Sequence, residues 1–254
     1  MGTYGKMVLR IAAAVVLLSP VALAQSKPGG PERILFDAAN QERMAKGREP
    51  LRWDSSLADA ARLHAIAMAR HNAISHQFAG EQTLSARAST AGARFSIVAE
   101  NVAEAPSART IHELWMKSPP HRENLLDPQL NSLGIAVAER AGQLFAVEDF
   151  SRSVAALSLE AQEQVVRARL RVQGLRLLED SAEARRACRL GNNYQPGRQP
   201  MFLMHYSATD LGDLPQPLEQ KVQSGQYHAA AVGACPSSDS GGFADYQITV
   251  LLYE

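Results

Sequence analysis

Apolar positions along the chain follow two periods. From residue 32 to about residue 120 they recur at three and four, the helical spacing. Ile34, Leu35, Ala38 and Ala39 begin a helix that continues to about Lys46, and Gly47 stops it. In "LRWDSSLADAARLHAIAMAR", residues 51–70, Asp54 or Ser55 caps a second helix. Its apolar stripe is Leu57, Ala60, Ala61, His64, Ala67 and Met68. A third helix is expected around Thr83–Ala91, ending at Gly92. A fourth spans about Ser107–Lys117, with Ile111, Leu114 and Trp115 inward. Pro119 and Pro120 end it, because a residue before proline leaves helical space, and they pre-organise the start of another short helix. After residue 130 the period falls to two. "SLGIAVAERAGQLFAVEDF", residues 132–150, reads as a β-hairpin turning at Ala141-Gly142. Helices followed by strands predict an α+β domain over residues 32–152.

From Leu157 to Glu254 the order of elements echoes the first half. "GLRLLEDSAEARRAC" parallels "EPLRWDSSLADAARLH", and the closing "AAAVGACPSSDSGGFADYQITVLLY" is again strand, glycine-rich turn, strand. Two readings fit residues 157–254: a shortened, degenerate second copy, or an unrelated α+β appendage with similar elements. Neither supplies a counterpart of "SPPHRENLL", residues 118–126.

The N-terminus changes the picture. Lys6 and Arg10 precede an apolar run, Ile11–Leu18, and Val21-Ala22-Leu23-Ala24 ends in a small-residue pattern. Residues 1–24 therefore read as a secretory signal peptide, with residues 25–31 as a flexible lead-in. The run is shorter than the roughly 20 apolar residues a membrane span needs. No transmembrane segment is expected once the signal is removed, and the destination is extracellular or periplasmic. The 254 residues carry 26 basic and 26 acidic side chains. Such a balance gives no electrostatic case for nucleic acid or an anionic membrane. The two cysteines, Cys188 and Cys235, are expected to form one disulfide in an oxidising compartment.

Three stretches set polar groups among apolar flanks: "AISHQF" (73–78), "IVAENVA" (97–103) and "SPPHRENLL". Glu100, inside the second, needs partners from elsewhere, since an unpaired buried carboxylate is costly. His76 and His121 fit by type: an imidazole can hold a carboxylate with one nitrogen and keep the other for a ligand or metal. At a helix start His121 is expected to be neutral, because the dipole disfavours an imidazolium. Arg122, Glu123 and Asn124 are expected to tie the turn to its neighbours or face solvent. His64 reads as a packed core histidine, His112-Glu113 as an exposed helix pair, and Trp53 and Trp115 as core anchors. Ser118 is a weak nucleophile candidate whose hydroxyl is expected to cap the next helical turn. No H-E-x-x-H, G-x-S-x-G, P-loop or dinucleotide fingerprint occurs.

With those stretches in order, "PLRWDSSLADAARLHAIAMA", "ISHQF", "AENVAEAPSARTIHELWMKSPPHRENLLDPQLNSLGIAVA" and "LFAVEDFS", the first half resembles the CAP superfamily, the SCP-like or PR-1-like extracellular domain, in its bacterial form. The resemblance implies an α-β-α sandwich with a surface cleft lined by two histidines and acidic residues. Carried over, these are His76, His121 and Glu100, with Asn101, Ser118 and Asn124 in support. Ser118 stands where eukaryotic members place a second glutamate, and Ala99 where a glycine usually precedes the motif glutamate. The first departure removes one carboxylate from the cleft.

The reading that follows is a secreted binding module, not an enzyme in the first instance. Its His/Glu cleft would take a small molecule, a lipid, or zinc or another divalent cation held by His76, His121 and Glu100. A structural or interaction protein with a partner in the cell envelope, and a metal-assisted hydrolase, are the alternatives.

Overall fold

Capping residues set where the helices begin. The computed structural model describes residues 28–195, 200–237 and 243–254, so the expected signal peptide and residues 25–27 lie outside the described residues. Helix α1, Gly30–Ala45, buries Leu35, Ala39 and Arg43, one residue per turn. Helix α2, Ser55–His71, starts where the Asp54 side chain accepts hydrogen bonds from the Ser56 and Leu57 amides. It stops at Asn72, which turns left-handed at φ 52°. Thr83 caps α3, Leu84–Thr90, and Ser107 caps α4, Ala108–Lys117. Helix α5, Pro119–Leu126, follows at once. The hydroxyl of Ser118 makes no capping bond there, contrary to expectation: the prolines occupy the first turn and leave it fewer amides to hold.

Strands β1 (Arg52–Trp53), β2 (Phe95–Ala105), β3 (Ser132–Arg140) and β4 (Gln143–Ser153) form one sheet in the order β1-β3-β4-β2. β1 runs parallel to β3, and the other pairs are antiparallel. The β3–β4 hairpin turns at Ala141 and Gly142, with φ 50° and 77°, as its residues predict. Strand β2 has no clear period-two signature in the sequence, because Glu100 and Glu104 interrupt its apolar run.

Helices cover both faces. Ala61, Ala65 and Met68 of α2 pack on Val102, Ala136 and Val147. Leu57 and Ala60 meet Ala88 of α3 and Phe95. On the other face Leu35 and Ala39, Ile111 and Trp115, and Leu125 bring α1, α4 and α5 onto Leu133, Ile135 and Phe150. The inner face of α4 is Ala108, Ile111 and Trp115; Leu114, expected inward, lies on its flank and is 46% exposed. Trp115 is the core anchor expected, whereas Trp53 is half-buried and meets Phe36 edge-on.

The second half repeats the plan in shorter form. Helices α6 (Leu159–Val172), α7 (Ala182–Leu190) and α8 (Gln216–Gln223) accompany strands β5 (Arg176–Leu177), β6 (Phe202–Ala208), β7 (Ala229–Cys235) and β8 (Tyr246–Tyr253). The sheet order is β5-β7-β8-β6, with β5 parallel to β7 and the rest antiparallel. Strand for strand this is the first sheet.

Details repeat as well. β1 and β5 are two residues long and leave much of the next strand's edge open. A glutamate from the leading helix closes each gap: Glu32 accepts from the Val137 amide at 3.3 Å, and Glu163 from the Ala234 amide at 3.0 Å. One glycine per sheet admits a helix start. A Cβ on Gly134 would stand 2.1 Å from the Ala58 nitrogen, and one on Gly233 would stand 2.2 Å from the Arg185 nitrogen.

Using those glycines as markers, Gly134, Asp149 and Glu100 form one rung of the first sheet, and Gly233, Thr249 and His205 the same rung of the second. Only the first therefore carries carboxyl groups on that rung. Cys188 of α7 and Cys235 of β7 form the expected disulfide and pin the shortened helix to its sheet.

Candidate functional site

Strand β2 is the outer strand of its sheet, so its residues can be approached from the side. Successive side chains point to opposite faces. Glu100 points to the α2/α3 face, and Asn101 to the face under α1, α4 and α5.

Glu100 is 7% exposed and both its oxygens are engaged. Oε1 lies 2.8 Å from Nδ1 of His76, in the segment between α2 and α3. Oε2 accepts from the guanidinium of Arg87 on α3, itself buried. The His76 side chain, by contrast, is 63% exposed. A buried ion pair thus orients a histidine whose Nε2 remains available.

Asn101 is fully buried and organises the other face. Its amide donates to the His121 carbonyl at 3.0 Å and to Glu148 Oε2 at 3.2 Å. The Asn124 amide donates to Asn101 Oδ1 at 3.1 Å and to the Glu100 carbonyl at 3.3 Å. These bonds seat α5 on β2, and with it His121. Its imidazole is held below the usual histidine range, first by burial and then by the charge of His76. Burial first, and then the neighbouring ring, disfavour its charged form, the same direction as expected of a helix start.

His76 and Glu100 are in contact, and His121 is close enough to His76 for their charges to interact. Asn101 and Asn124 connect the two sides. Ser118 joins none of these bonds among those described; its carbonyl accepts from the Arg122 amide. Arg122 itself donates to the Met116 carbonyl, closing the turn. Beside Asn124, Arg122, Glu123 and Leu126 line a surface groove of about 450 Å³.

The three expected ligands do not fit a divalent cation as a set. Glu100 has spent one oxygen on His76 and the other on a guanidinium, and a positive group against the carboxylate repels a second cation. Among the described residues no three His, Cys, Asp or Glu side chains are disposed to hold a metal ion.

Two buried acids behind the site were not read from the sequence. Asp149 stands opposite Glu100 in the register, and Glu148 opposite Asn101. Both are fully buried. Burial pushes the Glu148 carboxyl up to about 8, against a smaller lowering from Asn101. Burial, and then the charge of Glu100, push Asp149 well above the usual carboxylate range. The signal was in "AVEDF", two acids within an apolar strand, the same anomaly that drew attention to "IVAENVA". Arg87 offered no such signal, being one charge in a short helix.

His64 and His112 are held within the packing of the domain. His64 is buried, as expected, with Nδ1 2.7 Å from Glu81 and Nε2 2.6 Å from the Ser75 carbonyl. That pair shapes the segment carrying His76. His112 is not the exposed residue expected: only 13% of its side chain is accessible, because α1 packs over it and brings Glu42 within 3.9 Å.

Residues 36–150 match the CAP, or cysteine-rich secretory protein, family. The protein YkwD of Bacillus subtilis is 26% identical over 117 residues, covering 46% of this chain and 46% of the relative. An extracellular SCP-domain protein of Bacillus anthracis is 28% identical, with a TM-score of 0.45 over 50% of this chain and 45% of the other. An outer surface protein of Borrelia burgdorferi is 21% identical, with a TM-score of 0.46 over 48% of this chain and 92% of the other. The chain spans about half the length of the curated relative it matches. Residues 36–150 of this chain form a CAP-family domain.

Proposed function

We propose that the CAP domain is the ligand-binding part of an exported protein, and that it takes a small polar molecule at the β2 edge through His76 and His121. One observation carries this reading: an exposed imidazole is anchored through Nδ1 to a buried carboxylate. Orienting an exposed ring in this way costs a buried charge, and stability alone does not ask for it. On α5, Arg122, Glu123 and Asn124, which follow His121 in sequence, line a surface groove with room for a bound molecule. Export follows from the signal-like residues 1–24 and agrees with the Cys188–Cys235 bond.

The test is a fragment screen followed by the ring resonances of His76 and His121, assigned through His76→Ala and His121→Ala. Polyols, short peptides, lipid headgroups and zinc would be the probes. Polar fragments that shift both rings, and that lose affinity at least tenfold in either variant, are the expected result. Zinc as the one effective probe would replace this reading by a two-histidine cation site. Shifts confined to the second half would transfer binding away from the CAP domain and end the proposal.

A further inference from the structure

Behind His76 lies a chain of buried groups that the packing of the sheet does not require. Arg87 of α3 is 3% exposed; its guanidinium pairs with Glu100 Oε2 and donates to the Gln82 carbonyl at 3.3 Å. Asp149 sits directly across from Glu100, with neither of its oxygens receiving a hydrogen bond from a described residue. Two ionised carboxylates facing each other in this setting would leave one negative charge unmatched by the single guanidinium, which burial disfavours. A proton on Asp149 removes that charge. It also makes Asp149 a donor to Glu100, which when ionised can only accept. The raised proton affinity of Asp149 agrees with this arrangement.

We infer that Arg87 and the Asp149 carboxyl are positioning residues that hold Glu100 as an ionised acceptor, so that His76 carries its hydrogen on Nδ1 and turns a lone pair on Nε2 to the solvent. The inference rests on the reading of the β2 edge as the binding site and adds what that site accepts. A lone pair at Nε2 selects a ligand atom that donates a hydrogen bond, such as a hydroxyl or an ammonium group. While the ring is neutral, a carboxylate oxygen at the same place would meet an acceptor and find no hydrogen to accept. Glu100 is thus a relay: it touches the ring, and Arg87 and Asp149 touch it from behind.

The tautomer can be read without any ligand, so the outcome stands apart from the fate of the binding proposal. Long-range ¹H–¹⁵N spectra of the full chain, above the imidazole titration, distinguish a protonated from an unprotonated ring nitrogen. The wild type is expected to show His76 as the Nδ1–H form. Arg87→Gln, with its fold checked by the amide spectrum, is expected to release Glu100 and give mixed tautomers in which Nε2–H dominates. Arg87→Lys restores the cation and is expected to recover the Nδ1–H form. Asp149→Asn keeps a donor against Glu100 and is expected to leave the tautomer unchanged. Should Arg87→Gln fail to fold, the wild type and Asp149→Asn decide. An Nε2–H form in the wild type, loss of the Nδ1–H form in Asp149→Asn, or persistence of that form in folded Arg87→Gln would overturn the inference.

Discussion

The side-chain amide of Asn124 donates to Oδ1 of Asn101 across 3.1 Å, and this bond joins helix α5 to strand β2 inside the domain. Asn101 uses its own amide on the His121 carbonyl and on Glu148. Replacing it by alanine leaves these groups without partners in a dry place. Asn101→Ala is expected to lower stability by about 2–3 kcal/mol in urea unfolding. It should also displace the His121 ring resonance while that of His205 stays fixed.

Glu148 ties stability to pH. Its carboxyl is pushed up to about 8 in the folded chain, from an ordinary value of 4.5. Between those values the folded protein holds a proton that the unfolded chain releases. The stabilisation is complete below about pH 4.5 and declines as pH rises towards 8, by about 1.4 kcal/mol per unit. Glu148→Gln cannot ionise, so its melting temperature should match the wild type at pH 4.5 and exceed it at pH 8. Asp149 has the same sign and leaves a residual slope in both proteins. Melting curves that stay parallel across this range would contradict the assignment.

Gly134 is where α2 meets the sheet. A methyl group there would stand 2.1 Å from the Ala58 nitrogen and 2.4 Å from the Leu57 carbonyl carbon, and helix backbone cannot step aside. Gly134→Ala is expected to cost about 3 kcal/mol or more, or to prevent folding of the CAP domain. Gly233→Ala should do the same to the second sheet, where Ala184 and Arg185 occupy the space. Denaturation curves for the two variants would show whether the glycines are equivalent.

The disulfide acts on the second half. Cys188→Ser with Cys235→Ser is expected to lower stability by about 3–4 kcal/mol on the chain-entropy account. Amide exchange should quicken in α7 and β7, the two elements it joins. The His76 and His121 resonances should not move, since neither residue touches that half through a described bond.

Much of the frame was legible because it depends on neighbours in sequence. Asp54, Thr83 and Ser107 cap helices through their own next turn. Ala141-Gly142 makes a turn whatever surrounds it, and the prolines at 119 and 120 separate α4 from α5. Strand β2 was harder to read, because its core-facing residues are broken by Glu100 and Glu104. Arg43 was invisible: it is buried among the carbonyls of Glu49, Leu125, Asp127 and Leu130, each receiving one of its hydrogen bonds. Nothing in a lone arginine near a helix end announces partners more than 80 residues away.

The sequence by itself determined the helices and hairpin of the first half, an order of elements in the second half that echoes it, the cysteine pair, and the need of Glu100 for partners. Those follow from periodicity, capping and the cost of a buried charge, all of which act locally or through residue type. Only the tertiary structure decided who the partners are. It placed Arg87 on the second oxygen of Glu100, set Asp149 across from it, and gave His76 the solvent-facing position. Register and helix docking make those choices, and they arise from the summed packing of two helical layers on one sheet, which no single segment encodes.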